Sequence, residues 1–386
     1  MCDKMRIVYF YTNFACMAGT ERILIEKMNW LSAHGIDVIA LTCEQGDHPF
    51  SFDLSEKVQH IDLNVRLFTL FKFNRLYRIY KERCMRKELY KRFNSFMEEY
   101  KPDIVITTTY EKNIIRAVAK CPFSCKRLIE SHIDKRYVLS NYSLYIRHFL
   151  RNIHTMWKSQ SIEKNVRQFD ILIALNQADA DEWSPYVNTK VITNMVRLNS
   201  EDRFSDGTSK HVIFVGRYVE QKGLFSLMKI WKLIHERHPD WHLDLYGDGE
   251  YRDRLIAEAE QQQINIHIHP PCGNVFEKYI ESSIFVLTSI YEPFGLVIPE
   301  AMSCGLPVVS FDAEGPRHII TDGVDGFLVK NRNFDDFAGR VCQLIENKEL
   351  RLQMGRQAIH SAQRYSAEQI MPQWIKLFDS LIDAKY

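Results

Sequence analysis

Two short stretches hold the side chains best suited to chemistry. In HVIFVGRYVEQKGL, which begins at His211, an apolar strand-like run ends in a glycine-led turn, and Arg217 and Lys222 follow before a helix opens near Gly223. At a strand's carboxyl end beside a helix N-terminus, an Arg offers a diphosphate a planar fork and a Lys a point charge. Open α/β sheets bind phosphorylated ligands at that place. In SIYEPFGLVIPEAMSCGLPVVSFD, Glu292 and Glu300 lie eight residues apart across a Pro-Phe-Gly turn. With a helix beginning near Phe294, Glu292 precedes its N-terminus and Glu300 points from its second turn. Both then reach one ligand laid over the helix start, while the N–H groups of Gly295, Leu296 and Val297 face that ligand's charge. A carboxylate pair alone would also suit a glycosidase, but a glycosidase needs no diphosphate cradle beside it.

The same residues argue against a metal at the reacting centre. Fixed cations and helix N–H groups stabilise a leaving diphosphate as its charge develops. No Asp-x-Asp of the kind that holds Mn²⁺ or Mg²⁺ follows a strand in the second half. Asp179 and Asp181 do follow a strand, but in the first half, where they read as solvated helix caps. His267 and His269 alternate on one strand with no third ligand nearby in the sequence, and read as strand-face residues. The expectation is therefore no metal and no cofactor.

Elements must hold these side chains in place, and the chain alternates short apolar runs with longer amphipathic stretches, the pattern of βα units and parallel sheets. In the first half, strands are expected at Arg6 to Tyr11, Asp37 to Thr42, Asp103 to Thr107 and Ile171 to Leu175. In the second they are expected at His211 to Val215, Trp241 to Tyr246, Ile264 to His269, Ile284 to Thr288 and Pro307 to Phe311. The reading is an α/β chain of two Rossmann-like domains, residues 1–190 and 191–365. A polar stretch from Tyr186 to Lys210 serves as linker. The final helix, over 366–386, is expected to cross back onto the first domain and to pack Trp374 rather than bind with it.

Composition sets the remaining bounds. At 386 residues with 46% hydrophobic and 26% charged side chains, the chain is globular and long enough for two domains. The net charge of +1 hides an asymmetry: the first 200 residues carry 30 Lys+Arg against 22 Asp+Glu, the rest 20 against 27. Nine scattered cysteines without a CxxC pair fit a reducing compartment. No apolar run approaches a bilayer's span and the start has no signal-peptide pattern, so membrane contact is expected to be peripheral. An oxidoreductase is disfavoured because no G-x-G-x-x-G opens the first helix.

The segments GRYVEQKG, YGDGEYRDRL, EPFGLVIPEAMSCGLPVV and DGVDGFLV, in that order across residues 211–365, resemble the nucleotide-sugar half of the retaining glycosyltransferases of family four, which have the GT-B fold. The resemblance implies two Rossmann-like domains facing across a cleft, residues 1–190 on the acceptor side and 191–365 binding a nucleotide-sugar, and metal-independent transfer of a sugar from a nucleotide diphosphate donor, with retention of configuration. It assigns Arg217 and Lys222 to the donor diphosphate, Glu292 to the transferred sugar's hydroxyls, Glu300 to the ribose, and the backbone at Pro271 and Cys272 to the base. MAGTERIL resembles the family's double-glycine loop, with Gly19 kept and Ala18 in place of its partner; Glu21 and Arg22 would otherwise form a capping turn. His132, in LIESHID, stands where the family often places a histidine near the reacting sugar. The Gly315-Pro316-Arg317 run resembles members that build bacterial surface polysaccharides and glycolipids from UDP-hexoses, galactose-type donors among them. The alternatives within the fold are a UDP-sugar epimerase, which lacks this motif set, and a non-catalytic donor-binding partner subunit.

Residues 66–92 carry ten Lys and Arg against two Glu, with aromatics at Phe68, Phe71, Phe73, Tyr77, Tyr80 and Tyr90. Cations interleaved with rings suit an interfacial helix on anionic lipid. A second such stretch covers 137–160, with Tyr145, Arg147, Phe149, Arg151 and Trp157. The expected acceptor is a membrane lipid or lipid-linked saccharide, the expected location is cytoplasmic and peripheral on the inner face of the cytoplasmic membrane, and no nucleic acid is expected as partner.

Overall fold

The computed structural model describes residues 4–72, 74–133, 135 and 162–383. Its contacts divide the chain into two units, Met1–Thr193 with Met371–Tyr386, and Asn194–Ile370.

The first unit is built on seven parallel strands: β1 Arg6–Tyr11, β2 Asp37–Thr42, β3 Gln59–Asp62, β4 Ile104–Thr108, β5 Lys126–Ser131, β6 Ile171–Ala174 and β7 Thr189–Val191. Their order in the sheet is β3-β2-β1-β4-β5-β6-β7. The central strands are runs of Ile, Val and Leu because both faces are covered, as parallel sheets require. Val8, Ile39, Val105, Ile129 and Leu172 are all buried. Helices α1 Gly19–Ala33, α2 Arg75–Tyr100, α3 Lys112–Ala119 and α4 Gln177–Trp183 accompany them. On α2, Leu89, Phe93, Phe96 and Met97 enter the core, and Phe93 stacks on Phe10 at 4.9 Å between ring centroids. Toward its N-terminus the same helix turns outward: Tyr77 is 44% and Tyr80 61% exposed, as is Phe68 at 47% in the preceding Leu67–Lys72 turn. The 137–160 stretch lies outside the described residues.

The second unit has six parallel strands: β8 His211–Val215, β9 His242–Tyr246, β10 Ile266–His269, β11 Ile284–Leu287, β12 Val308–Phe311 and β13 Gly326–Val329, in the order β10-β9-β8-β11-β12-β13. Its helices are α5 Leu224–His235, α6 Arg252–Gln262, α7 Val275–Ile280, α8 Val297–Ser303, α9 Glu314–Ile319, α10 Phe334–Glu346 and α11 Lys348–Ala362. The segment expected as a free linker is in part fixed to this unit. The N–H of Asn199 donates to Ser303 Oγ at 2.9 Å, and the buried Arg351 guanidinium donates through Nε to the Gly207 carbonyl at 3.1 Å. Side chains of the second unit's helices, Ser303 and Arg351, thus satisfy backbone groups of the segment, while most of its own polar side chains face water.

The last helix, α12 Ala367–Asp383, buries Met371, Trp374, Leu377 and Phe378. Met371 onward belongs to the first unit, where the Lys27 ammonium sits 3.4 Å from the Trp374 ring centroid.

Candidate functional site

In the second unit the sheet order reverses direction between β8 and β11, the place where an open α/β sheet leaves a crevice beyond its strand ends. The loops carrying Arg217 and Lys222, and Glu292, leave those two strands. They are laced together. Ile290 N–H donates to the Gln221 carbonyl and Gln221 Nε2 to the Tyr291 carbonyl, each at 2.8 Å. Thr288 Oγ1 donates to the carbonyls of Lys222 and Gly223 at 3.1 and 3.2 Å. Gly223 is required there: its φ is +64°, and a Cβ would lie 2.2 Å from the Thr288 carbonyl oxygen.

This lacing brings Lys222 Nζ within 2.5 Å of Glu292 Oε2, and Ser289 Oγ donates to the same oxygen at 3.2 Å. The Lys222 and Glu292 side chains are 13% and 9% exposed, so the pair is largely desolvated yet open at one edge. Arg217 stands exposed on the same loop. Tyr218, behind it, is fully buried and its hydroxyl donates to the carbonyls of Leu245 and His269 at 2.6 and 2.9 Å. The YGDG turn clamps Tyr218 from the other side, its N–H reaching the Asp248 carbonyl at 2.7 Å. Neither Ser289 nor Tyr218 was marked by the sequence reading. Ser289 stands three residues before Glu292, a spacing that could have suggested it.

The helix after Pro-Phe-Gly starts later than the sequence suggests. Gly295 has φ +94°, outside the right-handed helical region, so α8 begins at Val297 and Glu300 falls in its first turn rather than its second. The first ladder-like bond runs from the Ile298 N–H to the Gly295 carbonyl, leaving the N–H groups of Leu296 and Val297 ahead of it at the helix mouth. Phe294 is buried, its ring edge-on to Tyr365 at 5.5 Å, so it anchors the loop. Glu300 is 1% exposed and accepts from the Tyr279 hydroxyl at 3.5 Å. Gly315-Pro316-Arg317 lies within the first turns of α9 and braces the carboxylate loop: the Gly315 N–H donates to the Glu292 carbonyl at 2.7 Å. A Cβ on Gly315 would stand 2.3 Å from the Phe294 carbonyl oxygen. Pro271 and Cys272 follow β10, Pro271 exposed and Cys272 half-buried, and burial pushes the Cys272 thiol up from its ordinary value.

In the first unit the reversal falls between β1 and β4. Gly19 is the first residue of α1, with Ala18 as an extended N-cap. Glu21 and Arg22 form no capping turn: Glu21 is buried and accepts from the Tyr11 hydroxyl at 3.0 Å, and Arg22 pairs with Glu26 at 2.9 Å. His132, just past β5, is buried with Nε2 at 3.0 Å from Glu130 Oε2. Glu130 Oε1 meets Lys27 Nζ at 2.6 Å, so a buried Lys–Glu–His chain orients the imidazole. Burial pushes the Glu130 carboxyl up, but the Lys27 ammonium and His132 outweigh it and hold the carboxyl below its ordinary value. An ionised Glu130 only accepts, so the His132 Nε2 that faces it carries a proton. Beyond β4, burial and the neighbouring Glu44 carboxylate push Glu111 up to about 7.

Two other sequence readings are corrected. Asp179 is no solvated cap: it is buried, and Asn176 caps α4 while Asp179 Oδ1 accepts the Lys135 N–H at 3.1 Å. His267 and His269 do have a third partner, Asp244 of the neighbouring strand, which strand register brings beside them.

Residues 196–361 match the family of glycosyl transferases group 1. An uncharacterized glycosyltransferase of Haemophilus influenzae is 26% identical over 378 residues, covering 96% of this chain and 98% of that protein. The amylovoran biosynthesis glycosyltransferase AmsD of Erwinia amylovora is 26% identical over 373 residues, covering 92% and 94%. Among solved structures, a TarM mutant of S. aureus in complex with Fondaparinux, alpha-GlcNAc-glycerol and UDP matches with a TM-score of 0.75 at 15% identity, over 97% of this chain and 99% of that one. That last likeness speaks to the fold. With the two parallel sheets and the full-length relatives taken together, the chain is a glycosyltransferase with the GT-B fold, and the match to the group 1 family falls within its second unit.

Proposed function

We propose that this glycosyltransferase is retaining and metal-independent, and moves a hexose, galactose-type or other, from a UDP-linked donor to a membrane lipid or lipid-linked saccharide. The observation that carries the reading is the Lys222–Glu292 contact at the reversal of the second sheet. It sets a cation for the diphosphate directly beside a carboxylate for the sugar. Arg217 supplies a second, exposed cation on the same loop, and the N–H groups of Leu296 and Val297 face the charge that develops as the bond from the anomeric carbon to the diphosphate breaks. Lys222 and Arg217 thus take the part a divalent cation plays elsewhere. Glu300 serves the ribose, the backbone near Pro271 and Cys272 the base, and Gly19 the donor phosphate, while His132, oriented by Glu130, serves the reacting sugar. The UDP in the TarM complex and the biosynthetic role in the AmsD name are consistent with this donor and a biosynthetic transferase. The purified chain, offered a panel of UDP- and GDP-sugars, is expected to hydrolyse at least one UDP-hexose slowly and to be protected by it against heat. Neither effect with any donor overturns the reading.

The acceptor reading rests on the outward aromatics Phe68, Tyr77 and Tyr80, which a helix buried for packing alone would not expose, set among cations such as Arg78, Arg83 and Lys87. No helix among the described residues is long and apolar enough to cross a membrane, so attachment to the inner, cytoplasmic face of the membrane would be peripheral. Flotation with anionic liposomes is expected for the wild type at low salt and not for R78E/R83E/K87E. Equal flotation of the two, or none by the wild type, would favour a soluble acceptor.

A further inference from the structure

One group of metal-ligating side chains lies outside the donor machinery. Strands β8, β9 and β10 are parallel neighbours, with His211 opposite His242 and Asp244 opposite His267. Because side chains alternate along a strand, this register puts His211, His242, Asp244, His267 and His269 on one face of the sheet. The Asp244 carboxylate gathers the imidazoles. Its Oδ1 meets His269 Nε2 at 2.8 Å and His267 Nδ1 at 3.3 Å, and its Oδ2 meets His211 Nδ1 at 2.5 Å. His242 is stacked between the rings of His211 and His267, with centroids 5.1 and 5.2 Å away.

The geometry points to a binding site for a divalent transition-metal ion of the zinc class, with Asp244, His267 and His269 as ligands. Among the described residues, these three bring one ligand atom each within 4.8 Å of the others. A four-coordinate ion with bonds of about 2.0–2.2 Å holds its donor atoms roughly 3.2–3.6 Å apart, so the observed spacings need only small side-chain rotations. Two imidazoles and one carboxylate, with no thiolate among them, suit zinc and its neighbours over magnesium or calcium. The carboxylate is 9% exposed and the His267 and His269 rings 47% and 35%, so an ion can enter from solvent and keep a water in its open position. His211 fixes the carboxylate through its second oxygen, the support that metal ligands ordinarily receive from the residues around them. The ion ties edge strand β10 to β9 just ahead of the Pro271–Cys272 loop. None of Arg217, Lys222, Glu292 or Glu300 takes part, so the site is separate from the transfer chemistry.

The test is a calorimetric titration of untagged, chelator-stripped full-length chain with Zn²⁺, together with Co²⁺ absorption spectra. The expected result is a saturable equivalent and a Co²⁺ spectrum without thiolate charge transfer. H267A/H269A loses that equivalent, H211A binds about tenfold more weakly, and both keep wild-type circular dichroism. Should the double variant fail to fold, H267Q, which keeps size and polarity, is expected to weaken Zn²⁺ at least tenfold. Wild type without saturable Zn²⁺ binding, or variants that bind as wild type does, overturns the assignment.

Discussion

Replacing Lys222 by Met separates what the Lys222–Glu292 pair does for the fold from what it does for the donor. The two side chains are 13% and 9% exposed and meet at 2.5 Å, so removing the ammonium leaves a carboxylate mostly out of water with the Ser289 hydroxyl still on the same oxygen. Breaking a buried pair on one side costs about 3–5 kcal/mol, and the residual solvent access and the Ser289 bond put this case near the lower end, about 3 kcal/mol. For a unit of this size that lowers the melting transition by roughly 6–12 °C. The apolar double variant K222M/E292M removes the stranded charge as well and is expected to recover most of that loss, since buried pairs replaced on both sides by apolar groups are often nearly neutral. UDP binding should not recover: losing a charge-assisted contact of about 1.5–3 kcal/mol weakens it roughly tenfold to a hundredfold in both variants. Differential scanning calorimetry and titration with UDP read the two quantities independently. If K222M melts within about 1 °C of wild type, the pair is not the desolvated contact that these exposures imply. If K222M keeps UDP affinity within about twofold, Lys222 is not a diphosphate ligand.

Three further outcomes follow from the same geometry. G315A must displace the Phe294 carbonyl oxygen, 2.3 Å from the new Cβ, and with it the Glu292 loop; donor turnover is expected to fall at least tenfold while the circular dichroism spectrum holds. Transfer in EDTA is expected to match transfer without it, because Arg217 and Lys222 carry the diphosphate charge; loss of activity in EDTA that Mn²⁺ restores refutes that role. Glu111, raised from 4.5 to about 7 by burial and then by Glu44, keeps its proton in the folded state where the unfolded chain has lost it. Its contribution to stability is therefore complete below pH 4.5 and is lost as pH rises through 7, at most about 3 kcal/mol, so E111Q should flatten the decline in denaturant midpoint across that window.

Much of this molecule can be read without coordinates where the information is local. The strand runs lie within a residue or two of their expected bounds, because Ile, Val and Leu in blocks of four to six have nowhere to go but a two-sided sheet. The short strands Gln59–Asp62, Thr189–Val191 and Gly326–Val329, each at a sheet edge, escaped notice: the first two are polar and half-exposed, and the third, though mostly buried, is four residues long and opens on a glycine. The spacing of Glu292 and Glu300 was plain. The helix start between them was misplaced by three residues, since a glycine at φ +94° reads the same in sequence as one inside a first turn.

What stayed hidden depends on register and on distant pairs. His132 draws its orientation from Glu130, two residues away, but Glu130 is held by Lys27, 103 residues earlier in the chain. The imidazole cluster is a stronger instance. His211, His242, Asp244, His267 and His269 come from three strands, and the alternation of His267 and His269 alone favoured a plain strand face. Only the pairing of Asp244 with His267 turns that face into a converging set of nitrogens around one carboxylate. A shift of that pairing by one residue would send Asp244 to the opposite face and dissolve the cluster, although every local feature of the sequence would read the same.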